Sequence, residues 1–539
     1  MKRNTWSTWS FMLLLGITTL GVTAVDAVYS PAVKAAVIPI IKEGDGQSSK
    51  GQEGRIMGNV VDVETGTTAS NYATTKADSS DKSKGSKAKT EAIKTDSKEK
   101  SQGAKAKNDA SKSNSTVSKS ESSKSTASKS NSTVAKNVKT VNSPAYNTNE
   151  DTKIPNIRVL LGGRTTPLTV TGNGEISVYN EDKKPFQRVT TGQAVVVGLK
   201  KNKLTINGKA VEGEIYLKSW QGKTSTIVKV DGKPYRGAVK IVPTSNGSML
   251  VINETSLESY LYGVVPAEAV PSWPQEALKA QAVAARTYAL YNMNQSVSKP
   301  YDVKPTTSHQ VYSGQAGEYD STTRAVDATK GMVMKYKGAL IEAFFHSDGG
   351  GFTEDSVNVW GSVVPYLKGV KDYSNNSNTS AWTVNLTRSA LENKLKAAGK
   401  DVGTLKEIKL STLRKRPIKA SDRGVSGRVL NATFVGSKKS LTLSGDTIMK
   451  MLGLKSTLFD FYVNVKPPAT ADSFKSPKAY HTFKKANDTV YIRGYGWGHG
   501  LGMSQWGAAA MAQKAGNSKD YYKTILTHYY SGITIDKIY

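Results

Sequence analysis

From residue 156 onward, apolar and polar positions alternate in short runs. Residues 157–161, 168–170, 175–178, 194–198, 203–206, 215–217, 225–230, 238–242 and 249–252 each read as a strand, because successive side chains on a strand point to opposite faces. Asn207-Gly208, Asp231-Gly232 and Gly172-Asn173-Gly174 supply turn chemistry between these runs. The start of the folded part is therefore expected to be mainly β. The period then lengthens. Leu257, Tyr260 and Leu261 fall on one face of a short helix, and Leu278, Ala282, Ala285 and Ala289 follow a second helical stripe, with Ser272 as its N-cap and Pro274 in its first turn. Strands return over 331–336 and 340–345. Further on, the pattern predicts helices over 388–398, 445–452, 505–515 and 519–530, with strands near Ile408 and over 429–434. The mixture predicts an α+β fold over 156–539, a β-rich first lobe followed by helices and further strands, in one large domain or two intimate lobes.

Before residue 156 the texture is different. Lys2 and Arg3 precede an apolar stretch over 11–24, and Val25-Asp26-Ala27 offers small-residue cleavage chemistry. Residues 1–27 read as an export signal, with an uncleaved membrane anchor as the alternative. Residues 28–67 carry too few apolar side chains for a core of their own. Residues 68–150 are Ser-, Lys-, Thr-, Ala- and Asn-rich, and the run Ser-Lys-Ser-Asn-Ser-Thr-Val at 111–117 recurs at 128–134. Such a segment buries too little to offset chain entropy, so it is expected to be a disordered linker. Its lysines outnumber its acids. It reads either as a cationic spacer that reaches along an anionic wall or as an inert linker.

Composition narrows the partners. No cysteine occurs among the 539 residues, which excludes disulfides and thiolate zinc sites. The formal charge of +30 favours a polyanionic environment. An export signal favours anionic cell-wall polymers, and no nucleic-acid module with diagnostic aromatic and basic spacing is present. The protein is expected to be secreted or wall-associated, with a membrane anchor in the uncleaved case.

Three segments carry the candidate chemistry. In the first, 261–288, Glu268 stands between Pro266 and Pro271. Prolines fix φ and remove a donor, so Glu268 is expected on a rigid, irregular stretch, either as an acid/base group or as a solvated helix cap. Gln281, Arg286 and Tyr288 lie on the helix that follows. A guanidinium beside Glu268 would lower its pKa, whereas an acid catalyst needs it raised. Arg286 therefore reads as a substrate contact or loop organiser, or else as half of a structural salt bridge. Gln310 and Tyr312, just downstream, are candidate sugar contacts or structural groups. The second segment is Phe344-Phe-His346-Ser347-Asp348-Gly-Gly-Gly351-Phe-Thr-Glu354, continuing to Val359-Trp-Gly and Pro365-Tyr-Leu. Adjacent strand residues face opposite ways, so His346 and Ser347 suit substrate binding better than nucleophilic catalysis. The third is Gly494-Tyr-Gly-Trp-Gly-His-Gly-Leu-Gly-Met-Ser-Gln-Trp-Gly-Ala508. It lacks the Lys-Ser/Thr of a phosphate loop. Trp497, His499, Gln505 and Trp506 suit a sugar ring, with burial in the core as the alternative for the tryptophans. With five histidines and no His-x-x-x-His pair, neither a catalytic metal nor a cofactor is expected.

These three segments, in this order, resemble the SpoIID/LytB family of cell-wall proteins, over about seven-tenths of the chain. The resemblance implies a peptidoglycan lytic transglycosylase that cuts the β-1,4 bond between N-acetylmuramic acid and N-acetylglucosamine and leaves 1,6-anhydro-muramic ends. It also implies a preference for glycan strands stripped of stem peptides, with Glu268 as the acid and base. Some members carry cysteines that join a histidine in binding zinc. The aligned positions here are Lys304 and Ser308, so that version of the site is absent and His309 reads as a hydrogen-bonding group. The other branch of the family implies a non-catalytic wall-binding protein that enhances a separate amidase.

Overall fold

Period-two burial is visible strand by strand: Ile215–Ser219 buries Ile215 and Leu217 and exposes Lys218. The structure is a computed structural model that describes residues 154–220, 227–374, 381–413, 415–468 and 481–539. The expected signal, the segment after it and the linker lie outside the described residues.

The first lobe consists of two six-stranded antiparallel sheets. One runs in the order Asn156–Arg164, Met249–Ser256, Ala238–Pro243, Ile215–Ser219, Ile176–Tyr179, Pro185–Val189. The other runs Lys233–Tyr235, Val228–Val230, Leu168–Gly172, Val195–Lys200, Lys203–Ile206, Lys209–Val211. Both contribute to a single apolar cluster that includes Val170, Val197, Val178, Leu217 and Ile241. The two sheets thus form a sandwich around one core. Asn207 and Asp231 both adopt positive φ, as the predicted hairpin turns require. Three strands were not expected: Pro185–Val189, Lys209–Val211 and Lys233–Tyr235. All three lie at sheet edges and are largely exposed, so they carry no buried alternation to read.

Helix α1 (Leu257–Glu268) continues directly from the last strand of the sandwich, capped by the Ser256 hydroxyl, which accepts the Ser259 N–H. Helix α2 (Gln275–Gln295) follows, with Pro274 and not Ser272 at its N-cap, and no side-chain cap bond. Its alanines let two bodies approach closely. Ala282, Ala285 and Ala289 pack with Leu257, Leu261 and Val264 of α1, while Ala277, Ala280 and Ala284 pack with Ala508, Ala512 and Ile525. Two short helices, α3 (Asp320–Ala328) and α4 (Ser356–Trp360), were not legible in the sequence. The expected strand over 340–345 forms only at its ends, as Ala339–Leu340 and Phe345–His346.

A second α+β body spans 381–495. Its two three-stranded sheets and helices α5 (Arg388–Ala397) and α6 (Gly445–Leu452) enclose their own core, including Leu391, Phe434, Ile448, Phe459 and Ile492. The chain enters and leaves this body through two strands that pair in parallel, Phe345 with Met503 and His346 with Ser504. That pairing brings the second and third sequence segments side by side. Helices α7 (Gln505–Ala515) and α8 (Tyr521–Tyr529) then return onto α2.

Candidate active site

A cleft of about 1160 Å³ opens where α1, the 307–311 loop, the paired strand ends and the second body meet. Glu268 is the last residue of α1, with Pro266 inside the final turn and Ala269 as C-cap. It is therefore helical, and the irregular segment expected around it begins one residue later. The Val311 N–H donates to its Oε1 at 2.7 Å, and the Gln505 side chain also hydrogen-bonds it. Its carboxyl is pushed up to about 7 by burial, against which these two hydrogen bonds pull weakly. No cation contributes to that balance. At neutral pH the group is thus divided between acid and carboxylate, as a residue that must both give and take a proton requires.

The Val311 donor is held by its neighbours. Gln310 is fully buried; its amide donates to the Ala285 carbonyl at 3.2 Å and accepts from the Tyr260 hydroxyl. Tyr312 is buried too, donating to Asn253 Oδ1 at 2.8 Å and packing on Tyr260. Gly263 makes this possible: a Cβ there would stand 2.7 Å from the Tyr312 ring and 2.9 Å from the Gly314 carbonyl oxygen. Of the two readings open for Gln310 and Tyr312, sugar contact or structural group, their burial and hydrogen bonds fit the structural one, and neither lines the cleft. Arg286 is also placed elsewhere. It is fully buried and forks onto Glu258, Nε to Oε1 at 2.8 Å and Nη2 to Oε2 at 2.7 Å, with further bonds to the Val326 and Met332 carbonyls. Of the two readings open for it, the structure places it in a structural ion pair that ties α2 to α1.

The remaining predicted residues, Trp506 apart, do converge. Gln505 Nε2 meets Gln281 Oε1 at 3.4 Å, which links α7 to α2 behind Glu268. Tyr288 lines the cleft, edge-on to Phe344 with ring centroids 5.7 Å apart. His346, Ser347, Trp497 and His499 lie on the facing wall. His346 Nδ1 bonds the Leu501 carbonyl at 3.0 Å, and His499 accepts the Leu501 N–H on Nδ1 while its Nε2 meets the Phe345 carbonyl at 3.1 Å. Burial together with the nearby Arg428 holds His499 down at about 4, and burial followed by His499 and Arg428 holds His346 well below the usual histidine range. Both rings are neutral at physiological pH. Gly496, Gly498, Gly500 and Gly502 all have positive φ, between 64° and 99°, which explains the every-second-glycine spacing of the third segment. Trp506 points the other way and packs edge-on against Trp273 at 5.0 Å.

Several cleft residues were not named as site candidates: Glu354 and Trp360, which stand in the second motif segment, and Arg428 and Lys455, which stand in none. Glu354 is fully buried and accepts from the N–H groups of Asp355, Val425 and Ser426, from Asn358 Nδ2 and from the Ser426 hydroxyl. Arg428 is buried, donates to the Gly498 carbonyl at 2.8 Å and is lowered to about 10 by burial. Glu354 closes the second motif segment, whereas Arg428 belongs to sequence with no local motif, and the return of the second body onto the cleft brings Ser426 onto Glu354 and Arg428 onto Gly498. No group of three His, Cys, Asp or Glu that could hold a metal converges among the described residues. Where the resemblance sets zinc in some members, Lys304 and Ser308 stand at the thiolate positions, and burial followed by Lys304 and Lys299 holds His309 below the usual histidine range.

Comparison with known proteins bears on these segments. A family profile described as Stage II sporulation protein matches residues 245–336, and one described as a domain of unknown function (DUF8618) matches 362–502. An uncharacterized protein of Brachyspira hyodysenteriae is 34% identical over 386 residues, covering 70% of this chain and 92% of its own length. Stage II sporulation protein D of Bacillus amyloliquefaciens is 30% identical over 378 residues, 66% of this chain and 96% of that protein. The amidase enhancer of Bacillus subtilis is 33% identical over 352 residues, 61% of this chain and 48% of that protein.

Proposed function

The chain belongs to the SpoIID/LytB family, and from that premise we propose that it is a peptidoglycan lytic transglycosylase in which Glu268 is both general acid and general base. The observation that carries this reading is a lone, uncharged-paired carboxyl, raised to about 7 by burial, at the wall of a cleft large enough for several sugar rings. In the first step Glu268 gives its proton to the glycosidic oxygen as the bond to C1 of the muramic ring breaks. The C6 hydroxyl of the same ring then attacks C1, and the Glu268 carboxylate takes the hydroxyl proton. No water is consumed, and the enzyme ends in its starting protonation state. The product is a 1,6-anhydro end.

The other carboxylates among the described cleft residues support an intramolecular nucleophile. Glu354 is saturated by five donors, and Asp446 is paired with Lys450 at 2.8 Å. A hydrolase would need a second carboxylate to activate water or to form a covalent intermediate. Attack by the substrate's own hydroxyl removes that need and gains from proximity. The substrates in this reading are glycan strands, with peptide-stripped strands preferred, and the protein acts outside the cytoplasm among anionic wall polymers.

The test is incubation of the purified protein with intact and amidase-treated glycan, followed by analysis for anhydro-muropeptides. Their formation, lost on Glu268→Gln, supports the proposal; wild-type protein that yields none overturns it. The named relative from Bacillus subtilis gives a second reading, in which the protein stimulates a cell-wall amidase. Faster peptide release by added amidase, unchanged by Glu268→Gln, would favour that reading.

A further inference from the structure

The cleft continues beyond Glu268 along an unbroken line of aromatic rings. Tyr288 meets Phe344 at 5.7 Å, Phe344 meets Trp360 at 4.3 Å, and Trp360 meets His499 at 5.6 Å. Trp360 ends the short helix α4, where Gly361 turns the chain through a left-handed conformation. It is the exception in this row. It lines the cleft, yet 46% of its surface is exposed. A large apolar side chain left open in water costs free energy unless something covers it. Its mounting is rigid, however: Phe344 and His499 fix one side of the indole, and the Phe344 backbone is itself held, its carbonyl accepting the Tyr530 hydroxyl at 2.7 Å and the Met503 N–H at 3.2 Å. A fixed indole with one side packed and the other open to a cleft is the geometry that a pyranose ring needs, because its C–H face is apolar and its hydroxyls lie at the rim.

We infer that Trp360 is the platform of a further glycan subsite, which seats a sugar ring beyond those held at Glu268. The inference rests on the reading of the cleft as a glycan site. It adds that the protein grips an extended strand from within and does not work on a short fragment alone. The other cleft indole, Trp497, is covered by Lys455 in a cation–π pair at 4.4 Å, whereas Trp360 stays 46% exposed.

Binding separates this claim from the catalytic one. In a Glu268→Gln background, which cannot cut, affinity is measured for a disaccharide and for a long, peptide-free strand of the same glycan. Trp360→Leu keeps an apolar side chain against Phe344 and His499 but has no flat face, and Trp360→Phe keeps a flat face. The expected result is that Leu weakens binding of the long strand by about five- to tenfold, that Phe retains most of the affinity, and that disaccharide binding does not change in either. Melting curves that overlay the parent confirm that packing is intact. Equal long-strand affinity for Leu and Trp overturns the inference, as does a parent protein that binds both lengths equally. A failure of the anhydro-product assay, by contrast, removes the catalytic reading and leaves this binding comparison standing.

Discussion

Glu268 owes its raised pKa to position. It sits where α1 ends, held by one backbone N–H and one amide, with burial as the dominant influence and no cation to oppose it. Three outcomes follow at this scale. Glu268→Gln should lower glycan cleavage by about 10²–10⁴-fold, since the swap keeps the shape but removes the transferable proton. The pH profile of kcat/KM should be one-sided, flat in mild acid and falling with an apparent pKa near 7. A second, acidic limb near pH 4 would reveal a required ionised partner and point to hydrolysis. The same residue should cost stability in a defined window. A carboxyl raised in the folded state contributes fully below its unfolded value of about 4.3, and that contribution is lost as pH rises through about 7. Glu268→Gln should therefore raise the free energy of unfolding at pH 8 by an amount on the order of 1–3 kcal/mol, read as a higher melting temperature, and leave it unchanged at pH 4. Arg286 behaves oppositely. Arg286→Met leaves Glu258 buried and unpaired, so unfolding should become easier by about 3–5 kcal/mol in denaturant titrations, while the kcat of the protein that remains folded is retained.

At the scale of elements, the site depends on how closely α1 approaches the 310–314 loop. That approach needs Gly263, because a Cβ would crowd both the Tyr312 ring and the Gly314 backbone carbonyl, at 2.7 and 2.9 Å. Gly263→Ala should push the loop outward and draw the Val311 N–H away from Glu268. The expected cost in stability is about 1–3 kcal/mol. The expected loss of activity is larger in proportion, since misplacement of about 1 Å can cost a hundredfold in rate. Activity and melting temperature measured on one preparation check this, and an active Gly263→Ala protein would show that the loop does not position the acid. The helices expected over 445–452 and 505–515 match α6 and α7 because each carries apolar periodicity and a serine cap, Ser444 or Ser504. Helix α4 is little more than a turn, and α3 buries only Thr322, Ala325 and Val326, so neither presents a stripe of large apolar side chains to read.

For the whole molecule, charge and reach matter more than contacts. Residues 68–150 carry an excess of lysine over acid. Removing them should leave the thermal transition of the folded part unchanged but weaken retention on walls rich in anionic polymer. The difference should shrink as salt shortens the Debye length from about 10 Å at 0.1 M. Equal retention at low salt, with and without the segment, would contradict this. Chelation should also have no effect on activity or melting, because the described residues bring no three metal-ligating side chains together. Stoichiometric zinc in the purified protein would contradict it.

The sequence by itself determined much of this protein. Alternation and helical period are local consequences of which side chains must leave water, so all but three edge strands of the sandwich, α1, α2, α6 and α7 were legible, as was Glu268 between its prolines. Three ordered segments were enough to point to the family. The tertiary structure decided which way each side chain faces and what it meets. Arg286 stands one helix away from Glu268 in sequence, yet it is committed to Glu258; Gln310 and Tyr312 support the site from behind; Trp506 packs on Trp273 while Trp497, nine residues earlier, lines the cleft. Arg428 enters the site only because the second body, 381–495, returns onto the cleft, whereas Glu354 and Trp360 follow His346 within fifteen residues and are fixed by Ser426 and by Phe344. Periodicity records burial but not the identity of the neighbour, and burial alone does not separate a residue that lines a cleft from one that holds its wall in place.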